Sequence, residues 1–373
     1  MLIAGEASGD LLASELVSAL RAQWPDAKFF GAGGAKMAAA GVELAFDLTQ
    51  HAVLGLTDVL KNYFKFRALF HRLLALAVAR KPDAVIGVDY GGFNLRFGHA
   101  VREYIRNHPE ANWRPKILQF VSPQVWASRP GRANLLAADY DLLLSIFPFE
   151  KDWYAKRVPE LRVEFVGHPM LDRIQKTEAG SQKADAKMVL LLPGSRKSEL
   201  KHHLPVMLEA LKRLRKQLPS VRAKMVLPDE PMKRLAFPAG LDGVEIQVGN
   251  LPEALAQADL AITKTGTVTM ECALFGVPAV TMYKKSFLGL AIALGIVTVK
   301  SLTMPNLMAK AEVYPEFLQN AASAENLSRA ALELLRNEPR RQKIQSQLAH
   351  IISSLGEPGA SRRAAAAIAN LFS

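Results

Sequence analysis

Asp89, in Gly87-Val88-Asp89-Tyr90-Gly91-Gly92-Phe93-Asn94, follows an apolar run that reads as a buried strand. A carboxylate there is costly unless it is paired or faces a cleft. Facing a cleft, it could take a proton from a sugar hydroxyl as a general base. Arg196, in Leu192-Pro193-Gly194-Ser195-Arg196-Lys197-Ser198-Glu199, offers a forked permanent charge beside the free backbone N–H groups of Gly194 and Ser195, a combination matched to a diphosphate. In Thr263-Lys264-Thr265-Gly266-Thr267-Val268-Thr269-Met270-Glu271 a strand ends, Gly266 turns the chain, and a helix start points N–H groups at phosphate. Glu271 lies at i+4 from Thr267, on the same helix face, where a carboxylate can accept from both ribose hydroxyls. Asn306, in Met304-Pro305-Asn306-Leu307, could donate to phosphate or uracil.

Two further loops suit the accepting partner. Gly5-Glu6-Ala7-Ser8-Gly9-Asp10 follows a strand and opens a helix, so its turn and N–H groups suit an anion or sugar oxygens. Glu6, Ser8, Gly9 and Asp10 are the candidates there. Val121-Ser122-Pro123-Gln124-Val125-Trp126-Ala127-Ser128-Arg129 offers Ser122, Gln124 and Trp126, with a tryptophan face for sugar and an arginine for phosphate. Each loop also has a plain structural reading. Ser8 or Asp10 can be an N-cap, Asp89 can cap the next helix, Trp126 can pack on the core, Arg196 can sit in an exposed basic turn, and Glu271 can be solvated. Gly31-Ala32-Gly33-Gly34-Ala35-Lys36 fails the dinucleotide spacing because Lys36 stands where the third glycine belongs, and a Walker A sequence is absent. The histidines show no metal-ligand spacing. His202 and His203 are adjacent and diverge on a helix, and His168 sits beside the linker. No metal and no cofactor are expected.

The elements that carry these loops alternate. Short apolar runs at 2–5, 28–31, 84–89, 117–121, 142–146 and 163–166 are separated by helical patterns such as 11–23 and 94–107. That alternation indicates parallel βαβ units, and continuous apolar strands mean both sheet faces are covered. The polar stretch 173–183 reads as a linker. The pattern then restarts at 188–192, 223–227, 244–248, 260–263 and 279–282. The expected fold class is α/β, with two Rossmann-like doubly wound domains and a cleft between them. The domains are residues 1–172 and 173–355, with a helix in 356–373 packing back on the first. Ligands in such sheets bind beyond the carboxyl ends of the strands, where the five loops lie.

The chain has 373 residues, enough for two cores, and half of them are apolar. One cysteine, Cys272, excludes an internal disulfide and fits a reducing compartment. The net charge of +12 favours polyanions, meaning anionic lipid or phosphorylated substrates. Neither zinc-finger spacing nor an RNP-like aromatic motif supports nucleic acid. No signal peptide is evident at Met1-Leu2-Ile3-Ala4-Gly5. The longest nearly apolar stretch, 287–299, is shorter than the ~20 residues a membrane span needs. Residues 53–76 are dense in apolar side chains, among them Val53, Leu54, Leu56, Val59, Leu60 and Phe64, interleaved with Lys61, Lys65, Arg67 and Arg72. This is the profile of a helix in a membrane interface meeting anionic lipid, and equally of a core helix.

Taken in order, Ala4-Gly5-Glu6-Ala7-Ser8-Gly9-Asp10, Val121-Ser122-Pro123-Gln124-Val125-Trp126-Ala127, Phe147-Pro148-Phe149-Glu150, Phe165-Val166-Gly167-His168-Pro169, Leu192-Pro193-Gly194-Ser195-Arg196 and Pro305-Asn306-Leu307 resemble the motifs of lipid-A-disaccharide synthases over nearly the whole chain. The resemblance implies a GT-B fold with donor nucleotide on the second domain. It implies inverting transfer from UDP-2,3-diacylglucosamine to 2,3-diacylglucosamine 1-phosphate at the cytoplasmic face of the inner membrane, by a peripheral protein in contact with anionic inner-membrane lipids. Members of the family can form homodimers. The resemblance gives Asp89 the role of general base and Arg196 that of diphosphate ligand. It places Gly266, Thr267, Glu271 and Asn306, with Gly194, Ser195 and Thr265, at the donor. The chain departs from the family pattern at Gly92, where a second acid usually stands, at Ser128 in place of a second tryptophan, and at Thr265 in place of a serine. Two rivals share the fold or the pocket. One is a UDP-N-acetylglucosamine 2-epimerase or another UDP-GlcNAc glycosyltransferase; the other is a non-catalytic, membrane-bound nucleotide-sugar sensor.

Overall fold

The structure, a computed structural model, describes residues 1–49, 63–174, 186–237, 240–241, 243–284 and 299–373. Most of the expected linker, the stretch 285–298 and the candidate membrane residues Val53, Leu54, Leu56, Val59 and Leu60 lie outside the described residues. The chain forms two compact units, Met1–Arg173 with Leu355–Ser373, and Ile174–Ser354.

In the first unit the strands are β1 (Leu2–Ala4), β2 (Phe30–Gly33), β3 (Glu43–Asp47), β4 (Ala84–Val88), β5 (Lys116–Phe120), β6 (Leu142–Ser145) and β7 (Val163–Phe165). They form one parallel sheet in the order β3-β2-β1-β4-β5-β6-β7. The central strands are fully buried, as β1, Val85–Val88 of β4 and β6 show, because helices cover both faces. The helix Ala7–Gln23 turns Leu12, Leu16, Val17 and Leu20 inward, a helical spacing that makes one apolar face. The helix Ala360–Ala369 packs on it, burying Ala360, Ala364, Ala365, Ala367 and Ile368. Small side chains allow that close approach. Arg363 fastens the returning segment, donating from Nε to the Val166 carbonyl at 2.8 Å and from Nη1 to that of Pro358 at 2.8 Å.

The second unit holds β8 (Met188–Leu192), β9 (Arg222–Leu227), β10 (Val244–Val248), β11 (Leu260–Lys264), β12 (Ala279–Tyr283) and β13 (Glu316–Leu318). This sheet is also parallel, in the order β10-β9-β8-β11-β12-β13. In each sheet the strand order reverses at one place, between β1 and β4 in the first and between β8 and β11 in the second. Such switch points open crevices at the carboxyl ends of open α/β sheets.

The helix Tyr63–Arg80 divides the membrane question. Leu73 and Ala77 are fully buried, and Phe70 packs edge-on against Phe93 and Phe97 with ring centroids 5.4 and 5.6 Å apart. That portion is core. Phe64, the second residue of the helix, is 79% exposed. Among the described residues no helix is long and apolar enough to cross a membrane.

Candidate functional site

The two loops at the first switch point meet. Leaving β4, the chain takes left-handed backbone angles at two successive residues, Asp89 (φ 52°) and Tyr90 (φ 47°), before the helix Gly91–Asn107 begins. Ser8, in the loop after β1, donates its hydroxyl to Asp89 Oδ2 at 3.3 Å. The glycines of that loop make the approach feasible. A Cβ on Gly5 would lie 2.2 Å from the Tyr90 ring, and one on Gly9 would lie 3.2 Å from the Val88 carbonyl and 3.4 Å from Asp89 Cβ. Burial raises the Asp89 carboxyl above the usual aspartate range, with hydrogen bonds from the Tyr90 N–H and Ser8 partly offsetting it. A carboxylate whose proton affinity is raised is a better base.

Asp10 serves a different purpose. It is buried, and its carboxylate accepts from the backbone N–H groups of Gly34 (2.8 Å), Lys36 (3.0 Å) and Met37 (3.0 Å). It therefore caps the short helix Ala35–Ala39 and ties the first helix to the exit of β2. Glu6 is the N-cap residue of the helix Ala7–Gln23 and makes no side-chain cap bond.

In the loop after β5, Gln124 is exposed, whereas Ser122 and Trp126 are buried. Trp126 Nε1 donates to Glu150 Oε1 at 2.9 Å, and its ring packs edge-on to Phe149. The Ser122 hydroxyl pairs with that of Tyr154 at 2.9 Å. Glu150 also accepts from the Phe147 N–H at 3.2 Å, and burial pushes its carboxyl up to about 7. The polar atoms of Ser122 and Trp126 thus join an internal network with Tyr154 and Glu150. Arg129 is exposed, and the desolvated guanidinium of Arg132 is lowered further by repulsion from Arg129 and Arg96. His168 is held neutral: burial lowers it to about 4, and its Nδ1 accepts from the Met170 N–H.

In the second unit the loops flanking β8 and β11 are joined by residues the sequence did not single out. Glu199 Oε2 accepts from the N–H groups of Ser195 (3.0 Å) and Arg196 (3.3 Å), while its Oε1 pairs with Lys264 Nζ at 3.1 Å. Both side chains of this pair are largely buried. Lys264 lies beside Gly266, whose φ of 136° makes the turn into the helix Val268–Leu274. Glu199, Ser195 and Arg196 therefore share one ion-paired frame with the Thr265–Gly266–Thr267 turn. Within it Ser195, Arg196 and Thr267 are exposed, Glu271 is half-buried and Thr265 is buried. His203 braces the same loop: its Nδ1 lies 2.8 Å from the Pro193 carbonyl, and its Nε2 accepts from the Lys284 N–H at 3.2 Å. Burial lowers its basicity and keeps it neutral.

Asn306 is buried, and its amide is committed. Oδ1 accepts from the N–H groups of Val313 (2.9 Å) and Tyr314 (2.8 Å), and Nδ2 donates to the Tyr314 carbonyl at 2.9 Å. In the structure it shapes the approach to β13.

Two parallel, doubly wound units with functional loops at both switch points define the GT-B class of sugar-transferring enzymes. A family model described as Lipid-A-disaccharide synthetase matches residues 1–371. The Lipid-A-disaccharide synthase of Syntrophus aciditrophicus (strain SB) is 36% identical over 376 residues, 98% of this chain and 95% of that one. The chain belongs to the lipid-A-disaccharide synthase family, and it is a glycosyltransferase of lipid A disaccharide synthesis. Solved structures agree on the fold alone. The S. aureus MnaA–UDP co-structure has a TM-score of 0.67 at 14% identity, covering 100% of this chain and 96% of that one. Acinetobacter baumannii MurG has a TM-score of 0.55 at 17% identity, covering 99% of this chain and 99% of that one. The epimerase and sensor readings are not favoured by the family assignment.

Proposed function

We propose that the chain transfers the sugar of UDP-2,3-diacylglucosamine to 2,3-diacylglucosamine 1-phosphate, giving lipid A disaccharide 1-phosphate and UDP. The observation that carries the catalytic reading is the Asp89 carboxylate. It stands at the first sheet's switch point on a left-handed corner, bonded by Ser8 and raised by burial. Asp89 takes the proton of the acceptor's 6-hydroxyl. That oxygen bonds to the donor's anomeric carbon as the bond from carbon to diphosphate oxygen breaks, and the electron pair leaves with UDP. Attack from the face opposite UDP inverts the anomeric centre.

On the donor side, the exposed guanidinium of Arg196 and the turn at Thr265, Gly266 and Thr267 neutralise the charge gathering on the diphosphate. Glu271 takes the ribose. Glu199 and Lys264 hold the two loops in register. The +12 charge and the exposed Phe64 support peripheral contact with anionic lipid at the cytoplasmic face.

The test is Asp89→Ala, assayed for turnover and for UDP binding. Turnover should fall on the order of 100- to 10,000-fold with UDP binding retained; near-normal turnover removes Asp89 from the base role. Comparing acylated with unacylated UDP-GlcNAc tests the substrate class, and equal use of both would overturn the lipid assignment.

A further inference from the structure

The corner that presents Asp89 is strained, and two buried amides hold it. Asp89 and Tyr90 are left-handed, and so is Val121 (φ 68°), a β-branched residue at the exit of the neighbouring β5. Such conformations are unfavourable for residues other than glycine and persist only where the surroundings over-determine them. Here the Asp89 N–H donates to the Phe120 carbonyl at 2.8 Å. The Asp89 carbonyl accepts from Asn94 Nδ2 at 2.7 Å and from Gln119 Nε2 at 2.8 Å. Gln119 Nε2 also lies 3.1 Å from the Val121 carbonyl, so one amide serves both strained residues.

Asn94 is 2% exposed and Gln119 is 0% exposed, and among the described residues neither Asn94 Oδ1 nor Gln119 Oε1 has a hydrogen-bond partner. Leaving a buried acceptor unpaired is unfavourable, so packing alone does not account for two amides here. The neighbouring strand makes room for them. A Cβ on Gly87 would fall 2.4 Å from Gln119 Oε1 and 2.9 Å from Asn94 Cβ. The carbonyls of Asp89 and Val121 require the NH2 end of Gln119 to face them, which fixes the orientation of the amide.

We propose that Gln119 and Asn94 are positioning residues, which lock the backbone of Asp89 and thereby aim its carboxylate at the acceptor hydroxyl. The proposal rests on the reading of Asp89 as the base. It is tested in the full chain with Gln119→Met, which keeps bulk and removes the donor, alone and combined with Asp89→Ala. Gln119→Met should lower kcat about tenfold or more, leave the KM for the UDP-sugar unchanged, and move the acid limb of the kcat–pH profile. In the Asp89→Ala background it should cause no further loss, because its effect passes through the carboxylate. Unchanged kcat with only a lowered Tm, or a full additional loss in the double variant, overturns the proposal. If Gln119→Met does not fold, Asn94→Ala is read by the same criteria. Near-normal turnover by Asp89→Ala alone defeats the base reading itself, and is distinguished by needing no variant at 119.

Discussion

Glu150 sits at the centre of a network that ties together Trp126, Ser122 and the Phe147 N–H, and its protonation makes the fold sensitive to pH. Its carboxyl is raised from the ordinary glutamate value of 4.5 to about 7. Between those values the folded chain binds more protons than the unfolded one, so this group makes stability fall as pH rises through the window. At about 1.4 kcal/mol per pKa unit, the effect is about 3 kcal/mol in all. Glu150→Gln should flatten the decline of Tm across that range, measured by thermal unfolding; an unchanged slope would show that other groups dominate. Asp89 carries a raised carboxyl too, so the acid limb of activity should lie above the usual aspartate range near ~3.9, and Asp89→Ala should remove it. The sequence exposed Asp89 and Arg196 because each is a charged residue at a strand exit. It did not expose Glu199, Lys264, Gln119 or the partners of Asp10, because those pairings join residues 24 to 65 positions apart. Composition and spacing carry no trace of such contacts.

At the scale of elements, the loops after β1 and β4 act as one piece. Gly5→Ala would place a methyl group 2.2 Å from the Tyr90 ring and push the Asp89 corner out of place. Turnover should drop on the order of 100-fold while the far-UV spectrum is kept; retained turnover would show that the corner tolerates displacement. Gly92 presents the opposite case. Among the described residues nothing lies within 4 Å of its missing side chain, and the first turn of the helix Gly91–Asn107 has no acid. Gly92→Asp should therefore stabilise the fold by about 1 kcal/mol, through helix propensity and the helix dipole, seen as a higher Tm. Most strands were legible because continuous apolar runs such as Met188–Leu192 have no alternative in a covered sheet. The strands β3 and β13 were not. Both are sheet edges, half-buried or exposed, so they lack the apolar run that marks a central strand.

At the scale of the whole molecule, the net charge of +12 should draw the chain to anionic vesicles in a salt-dependent way. Sedimentation with phosphatidylglycerol vesicles should fall steeply as ionic strength rises, and binding indifferent to salt would argue for apolar insertion instead. The helix Ala360–Ala369 has a consequence for how the molecule is made. It completes the first unit, yet it is encoded after the entire second unit. On the ribosome, the part of Ala7–Gln23 that Ala360–Ala369 covers therefore stays exposed while Ile174–Ser354 is translated, so the first unit is completed only after the second has been made.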